Sequence, residues 1–325
     1  MAIILTILLF GVIIVFHELG HFLTAKLNKI KVNSFSIGFG PTIFSWNRGQ
    51  TKYSIRIFPI GGYVAIDDNE FDNQAIYKRI IVIIAGSLVN ILSGFLAVSI
   101  ILLSQGSFVS TKVASVTPQQ DKIQVGDDIK NINNHQILNS SDLSFEMSRI
   151  DDSGLINLTV LRNGELIELY DVGYFAEING KDQKILGVSL ESDRLDFSNF
   201  FKQSFNSSIF IVKLTYISMC DLITGKVSIE SVSGPVGFAK SVSENKNLNI
   251  LSILSFFPLL SIYIGLFNLL PFPALDGGRL IFLLIELIFR KKIKKEIQNY
   301  INLFGIFALI CLFIFTTLKD IFAFF

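Results

Sequence analysis

The chain has 325 residues, half of them hydrophobic, with a positive mean hydropathy of +0.54. The apolar residues are clumped rather than spread, which excludes an ordinary soluble domain. A net charge of +1 gives no global basic field for nucleic acid. The two cysteines, Cys220 and Cys311, stand far apart in apolar stretches, so they read as buried thiols rather than a disulfide framework or zinc ribbon.

A spanning helix needs roughly 20 mostly apolar residues. Residues 1–26 form the first such segment. It has no basic residue before Lys26, and its apolar run carries straight into His17, Glu18 and His21 without a small-residue cleavage site. It therefore reads as a retained span, not a leader. Residues 27–79 follow as a basic loop. There the stretch 32–66, punctuated by Gly38, Gly40-Pro41, Asn47-Arg48-Gly49 and Gly61-Gly62, has the alternation of a β-hairpin.

Residues 80–104 are the second span. Residues 105–195 contain short β-like runs, such as 156–162 followed by Asn163-Gly164 as a hairpin turn, and predict one compact α+β domain. Residues 196–250 are an amphipathic region, with 197–224 expected on the membrane surface. The third span, 251–289, contains Pro271 and Pro273, so it should be bent or locally unwound. A basic loop (290–300) and a fourth span (301–319) complete the chain.

The loops 27–79 and 290–300 both carry clustered Lys and Arg, so the positive-inside rule puts both in the cytoplasm, as four spans require. Both termini and the α+β domain then face outward. The fold class is a polytopic α-helical membrane protein with about four transmembrane helices. It has a cytoplasmic-side β-hairpin loop and one extracytoplasmic α+β domain.

His17-Glu18-Leu19-Gly20-His21 is an H-E-x-x-H motif inside the first span. Positions i and i+4 lie about 40° apart around a helix, so both imidazoles reach one ion. Glu18 stands beside them, where it can take a proton from water at the metal. Zn2+ is the expected cofactor, because two histidines and a carboxylate leave one position open. A chance polar patch is the bland alternative, but an ionisable trio in a span is costly and usually functional.

The third ligand must come from elsewhere. Asp276, in Asn268-Leu-Leu-Pro-Phe-Pro-Ala-Leu-Asp-Gly-Gly-Arg279, is the best candidate, against the alternative of a polar turn in which it pairs with Arg279. Glu286 is the other acid in this span. Asn268 and Asn90 suit either substrate hydrogen bonding or helix joining.

These residues resemble the site-2 family of intramembrane zinc metalloproteases, and within it the bacterial regulator-of-sigma-E protease group of single-PDZ type. The resemblance runs in order through Phe16-His-Glu-Leu-Gly-His-Phe22, Ile37-Gly-Phe-Gly-Pro41 and Phe58-Pro-Ile-Gly-Gly-Tyr-Val64. It continues through Ala85-Gly-Ser-Leu-Val-Asn90, Ser233-Gly-Pro-Val-Gly237 and Asn268 to Gly278. Two departures are Ser87, where the family has proline, and Asn134, where its PDZ hairpin has glycine.

The resemblance implies zinc on His17, His21 and Asp276, with Glu18 as general base. It implies a substrate-binding set of Asn268, Gly61, Gly62 and Tyr63, the last three on a strand that pairs with extended substrate. It also implies a PDZ-like outer domain, an active site toward the cytoplasm and a cell (inner) membrane location. Regulated intramembrane proteolysis follows as the function. Its substrates would be single-span proteins of the anti-sigma factor or remnant signal peptide type, with the PDZ domain contacting their ectodomains or filtering them by size. Two other classes are a non-catalytic scaffold using the PDZ domain and a proton-coupled transporter, the latter disfavoured by four short spans without inverted repeats.

Overall fold

The computed structural model describes residues 2–150, 154–178, 181–228, 234, 236–238, 240 and 254–322. The chain forms two compact units, one from Met1–Ala97 with Leu214–Phe325 and the other from Val98–Lys213.

The first unit is built on helices. Helix α1 (Ala2–Leu27) is mostly apolar, interrupted by His17, Glu18 and His21 and with Lys26 in its last turn. It leads into β1 (Val32–Arg48) and β2 (Thr51–Ile66), which are antiparallel and turn at Gly49. The hairpin is folded on itself. Ser34–Ile37 is bordered on one side by 62–65 and on the other by 52–55, while the outer half of β1 pairs with 51–56. Its distal half exposes Phe39, Ile43, Phe44, Trp46, Ile57 and Phe58.

A short α2 (Asp68–Asp72), capped by Asp67 on the Glu70 N–H, joins the hairpin to α3 (Ile76–Gln105). After the second unit, α5 (Phe197–Ile223) returns the chain to the first. There follow α6 (Phe257–Asn268), α7 (Asp276–Phe289) and α8 (Lys295–Phe322).

The expected third span is therefore two helices of 12 and 14 residues. Pro271 and Pro273 lie in the gap between them, as their missing N–H groups require. Among the described residues, four helices are long and apolar enough to cross a membrane: Ile4–Leu27, Ile76–Gln105, Phe197–Ile223 and Lys295–Phe322. The chain is thus a multi-pass membrane protein, but this set is not the one read from sequence. Phe197–Ile223 enters it, and 251–289 leaves because it is broken. Helix α8 also begins six residues before the expected 301, taking in part of the basic loop. Of the 196–250 region, residues 229–233, 235, 239 and 241–250 lie outside the described residues, and with them part of the Ser233–Gly237 motif. Cys220 is half-buried and Cys311 is exposed on an apolar helix, so the expectation of buried thiols is corrected for Cys311.

The second unit is a sheet ordered β10-β3-β4-β6-β7, with β5 on β4. Its strands are β3 (Ser107–Val116), β4 (Asp128–Ile132), β5 (His135–Gln136), β6 (Leu155–Arg162), β7 (Glu165–Gly173) and β10 (Val188–Arg194). β8 (Phe175–Ile178) and β9 (Lys181–Ile185) form a separate pair. The core joins Val113, Ile129, Leu158, Val160 and Val172 to Leu143 and Met147 of α4 (Ser140–Ser148).

Asn163 and Gly164 have φ of 54° and 88°, as the hairpin turn between β6 and β7 demands. Asn134 has φ 68°, a value asparagine tolerates, which accounts for its standing in for glycine. His135 is exposed on β5, away from the other two histidines in sequence. Helix α5 docks on α4, with Lys213 Nζ 2.8 Å from Asp142 and 2.7 Å from Glu146.

Asp127 is fully buried behind Arg162, whose Nε and Nη2 donate to its two oxygens at 2.7 and 2.8 Å. Burial pushes this carboxyl up. The Arg162 hydrogen bonds and the Gln124 N–H outweigh that and hold it below the usual carboxylate range. A depressed folded value means stability that is present above the unfolded value of about 3.9 and is lost as pH falls through the folded one. Arg162→Met strands the buried charge and should cost about 2–3 kcal/mol. Hydrogen exchange across 155–173 should quicken at neutral pH in this variant. Unchanged protection would show that the pair contributes nothing.

Candidate active site

The site forms where α1, α3 and α7 meet, around the H-E-x-x-H turn. His17 and His21 lie one helical turn apart, both buried, with Nε2 atoms 3.2 Å from each other. Asp276 Oδ2 is 3.0 Å from His17 Nε2 and 3.2 Å from His21 Nε2. His21 Nδ1 donates to the Val82 carbonyl at 2.8 Å, which turns the Nε2 lone pair toward the other two donors.

Three electron-pair donors thus converge on one point, and among the described residues Asp276 Oδ2 has no hydrogen-bond donor of its own. The edge of a tetrahedron with zinc–nitrogen bonds of 2.0–2.1 Å is roughly 3.3 Å. The spacings fit a single zinc ion, and among the described residues this is the one cluster with metal-ligand geometry.

Backbone packing makes the convergence possible. Gly86 of α3 sits directly over the imidazoles, where a Cβ would lie 2.4 Å from His21 Nε2 and 2.8 Å from His17 Cε1. Asp276 is the first residue of α7, where the positive end of the helix favours a carboxylate. The loop before it is seated on α8. Gly305 lies against the Pro273 carbonyl, and the Ala274 N–H donates to Asn302 Oδ1 at 3.4 Å.

Glu18 lies beside the cluster, and its Oε2 accepts the Val64 N–H at 2.9 Å. A cavity of about 810 Å3 opens from these residues and is walled by residues 63–66 of β2, by Asn268 and Arg279, and by Asn299 and Asn302 of α8. It is lined by polar groups well beyond the metal cluster, which gives water a route to it.

The residues expected from sequence are mostly brought together. His17, Glu18, His21, Asp276, Asn268 and Tyr63 all line the cavity. Gly61 and Gly62 do not. Gly61 packs on Ile14 and Gly62 on the Ser36 carbonyl, so the strand turns residues 63–66 toward the site. Tyr63 accepts a hydrogen bond from Arg56 at 2.7 Å. Asn90 is fully buried outside the cavity, and its backbone carbonyl accepts Ser261 Oγ at 2.9 Å, a contact between helices that does not involve the asparagine side chain. Asp276 faces the histidines rather than Arg279.

Gly86 and the Val82 carbonyl were not singled out from the sequence. A backbone acceptor has no residue signature, and one glycine in an apolar helix has many explanations. The Arg79–Glu286 pair in the cavity wall was also missed.

Helices of this length carrying a buried His–His–Asp donor set, with a glutamate beside it, define a polytopic membrane metallohydrolase. The sequence profile of peptidase family M50 matches residues 5–312. Curated relatives named "putative zinc metalloprotease" cover the chain almost end to end. A Clostridium acetobutylicum protein is 33% identical over 98% of this chain and 97% of its own length. One from Fusobacterium nucleatum is 35% identical over 99% and 98%, and one from Clostridium perfringens is 31% identical over 99% and 98%. The chain belongs to peptidase family M50 and is a zinc metalloprotease.

Proposed function

We propose that this protein is a zinc-dependent intramembrane endopeptidase that cuts single-span membrane proteins, with His17, His21 and Asp276 as zinc ligands and Glu18 as general base. The observation that carries the reading is the meeting of three donor atoms at 3.0–3.2 Å from two separate apolar segments, with Glu18 on the same cavity. When bound, zinc supplies Lewis acidity that polarises a scissile carbonyl and acidifies water. Glu18 takes the proton of the attacking water and delivers it to the leaving amine nitrogen. Its bond to the Val64 N–H keeps the carboxylate aimed into the cavity.

The edge of β2 at 63–66 supplies the substrate platform. A spanning helix shields its peptide bonds, so it must unwind before cleavage, and an exposed edge gives the unwound strand hydrogen-bond partners. Asn268, at the end of α6 and on the cavity wall, suits a further contact to the substrate backbone. The β-rich unit is read as a PDZ-like module outside the membrane that screens substrate ectodomains. The positive-inside rule puts the hairpin, the 290–300 loop and the active site toward the cytoplasm. Anti-sigma factors and remnant signal peptides are the substrate classes of this reading.

The test is cleavage of a model single-span peptide by the purified full chain in detergent. Mass spectrometry should find a cut inside or beside the apolar segment, abolished by chelation and restored by zinc. A fully zinc-loaded protein that leaves a panel of such peptides intact would overturn the intramembrane reading.

A further inference from the structure

We infer that Arg79 is a positioning residue for the metal centre, acting through its buried contact with Glu286. This rests on the zinc-site reading above. Arg79 is buried at 6% exposure, and its Nη1 donates to both Glu286 oxygens at 3.0 and 2.9 Å. Its Nη2 donates to Asp72 Oδ1 at 3.4 Å, and Lys295 Nζ lies 2.7 Å from the other Asp72 oxygen. Four elements are thereby tied at one point: α2, α3, α7 and α8.

Each tied element carries part of the site. Arg79, Val82 and Gly86 follow one another at i, i+3 and i+7, a single face of α3. That face supplies the carbonyl that orients His21 and the space for both imidazoles. Glu286 is ten residues, roughly 15 Å of helix, beyond Asp276 on the same α7. Asp72 closes the short helix that follows β2, whose Val64 N–H holds Glu18.

Apolar helix faces in lipid have little preference for one register over a neighbouring one, because the surrounding chains are equally apolar. A slip of one residue moves a ligand 1.5 Å along the axis and rotates it by about 100°, enough to break a three-donor site. The guanidinium–carboxylate contact is directional and permits one register only. A buried ion pair adds little net stability over well-packed apolar residues, whereas setting register is the best-attested use of one. The structure thus assigns the pair to alignment of α3 against α7, which keeps Asp276 Oδ2 3.0–3.2 Å from the two histidine nitrogens with which it would hold zinc.

The experiment uses the full chain in detergent and three readouts: zinc per chain with its rate of loss to a chelator, the visible spectrum after cobalt substitution, and the thermal midpoint. The variants are the apolar double replacement Arg79→Met with Glu286→Leu, and Arg79→Lys. The double variant should keep a thermal midpoint near that of the wild type, yet lose zinc about ten-fold faster or more and show a weakened tetrahedral cobalt band. Arg79→Lys keeps the charge but not the two-directional contact, so it should shift zinc loss the same way by less, with the fold intact.

A folded double variant with wild-type zinc retention and cobalt spectrum would overturn the inference. If the double variant does not fold, unchanged zinc retention in Arg79→Lys overturns it instead. Wild-type protein that cannot hold one zinc would bring down the site reading itself along with this inference, and is recognised before any variant is made.

Discussion

Glu18→Gln should reduce cleavage of a single-span substrate by roughly 10²–10⁴-fold while leaving one zinc per chain. The amide has the shape of the carboxylate, and its oxygen can still accept the Val64 N–H that holds Glu18 Oε2 at 2.9 Å. The proposed ligands His17, His21 and Asp276 meet within 3.0–3.2 Å of one another without any contact from that group, so metal content should not move. What disappears is the capacity to take a proton from water and return it to the amine nitrogen. The measurement is kcat/KM by product mass, beside metal analysis of the same preparation. Activity near that of the wild type would mean that another group on the cavity wall is the base. Loss of zinc together with activity would mean that Glu18 is structural to the ligand set.

The sequence made the chemistry legible because its residue types are rare in apolar segments. Three histidines in 325 residues, two of them four apart in a span, leave little else to explain them. Asp276 was recognisable from its setting among prolines and glycines, and it does meet both imidazoles. The hairpin and the Asn163-Gly164 turn were legible because two-residue periodicity and turn chemistry are local.

Apart from the meeting of Asp276 with the histidines, what escaped depends on which helices touch. Glu286 stands near a basic loop in sequence, yet its partner is Arg79, 207 residues away on another helix. The set of long apolar helices also differed from expectation: the break near Pro271 and Pro273 was legible, but 197–224, read as a surface helix, is long and apolar enough to span. The strand beside the site was placed two residues too early. Gly61 and Gly62 serve close packing against Ile14 and β1, and the cavity wall begins at Tyr63.

Gly86→Ala should weaken zinc binding and lower cleavage by about 100-fold, against what local preference alone would give. Alanine in a helix interior is favoured over glycine by roughly 1 kcal/mol, so α3 by itself should gain. The added methyl, however, would stand 2.4 Å from His21 Nε2 and 2.7 Å from His21 Cε1, closer than packed carbon atoms allow.

Neither partner can yield cheaply. The His21 ring is tied through Nδ1 to Val82, on the same helix as the intruding methyl, and Gly20 already lies against the Ala85 carbonyl, so α1 and α3 meet backbone to backbone. The relief left is rotation of the imidazoles away from their shared point, or separation of the helices, and each dismantles the ligand triangle. Gly173→Ala is the control, since its Cβ meets nothing within 4 Å. Zinc analysis and turnover on both proteins decide the matter. A Gly86→Ala protein with full zinc and wild-type turnover would show that α1 and α3 stand further apart than described, and that the histidines owe their geometry to some other contact.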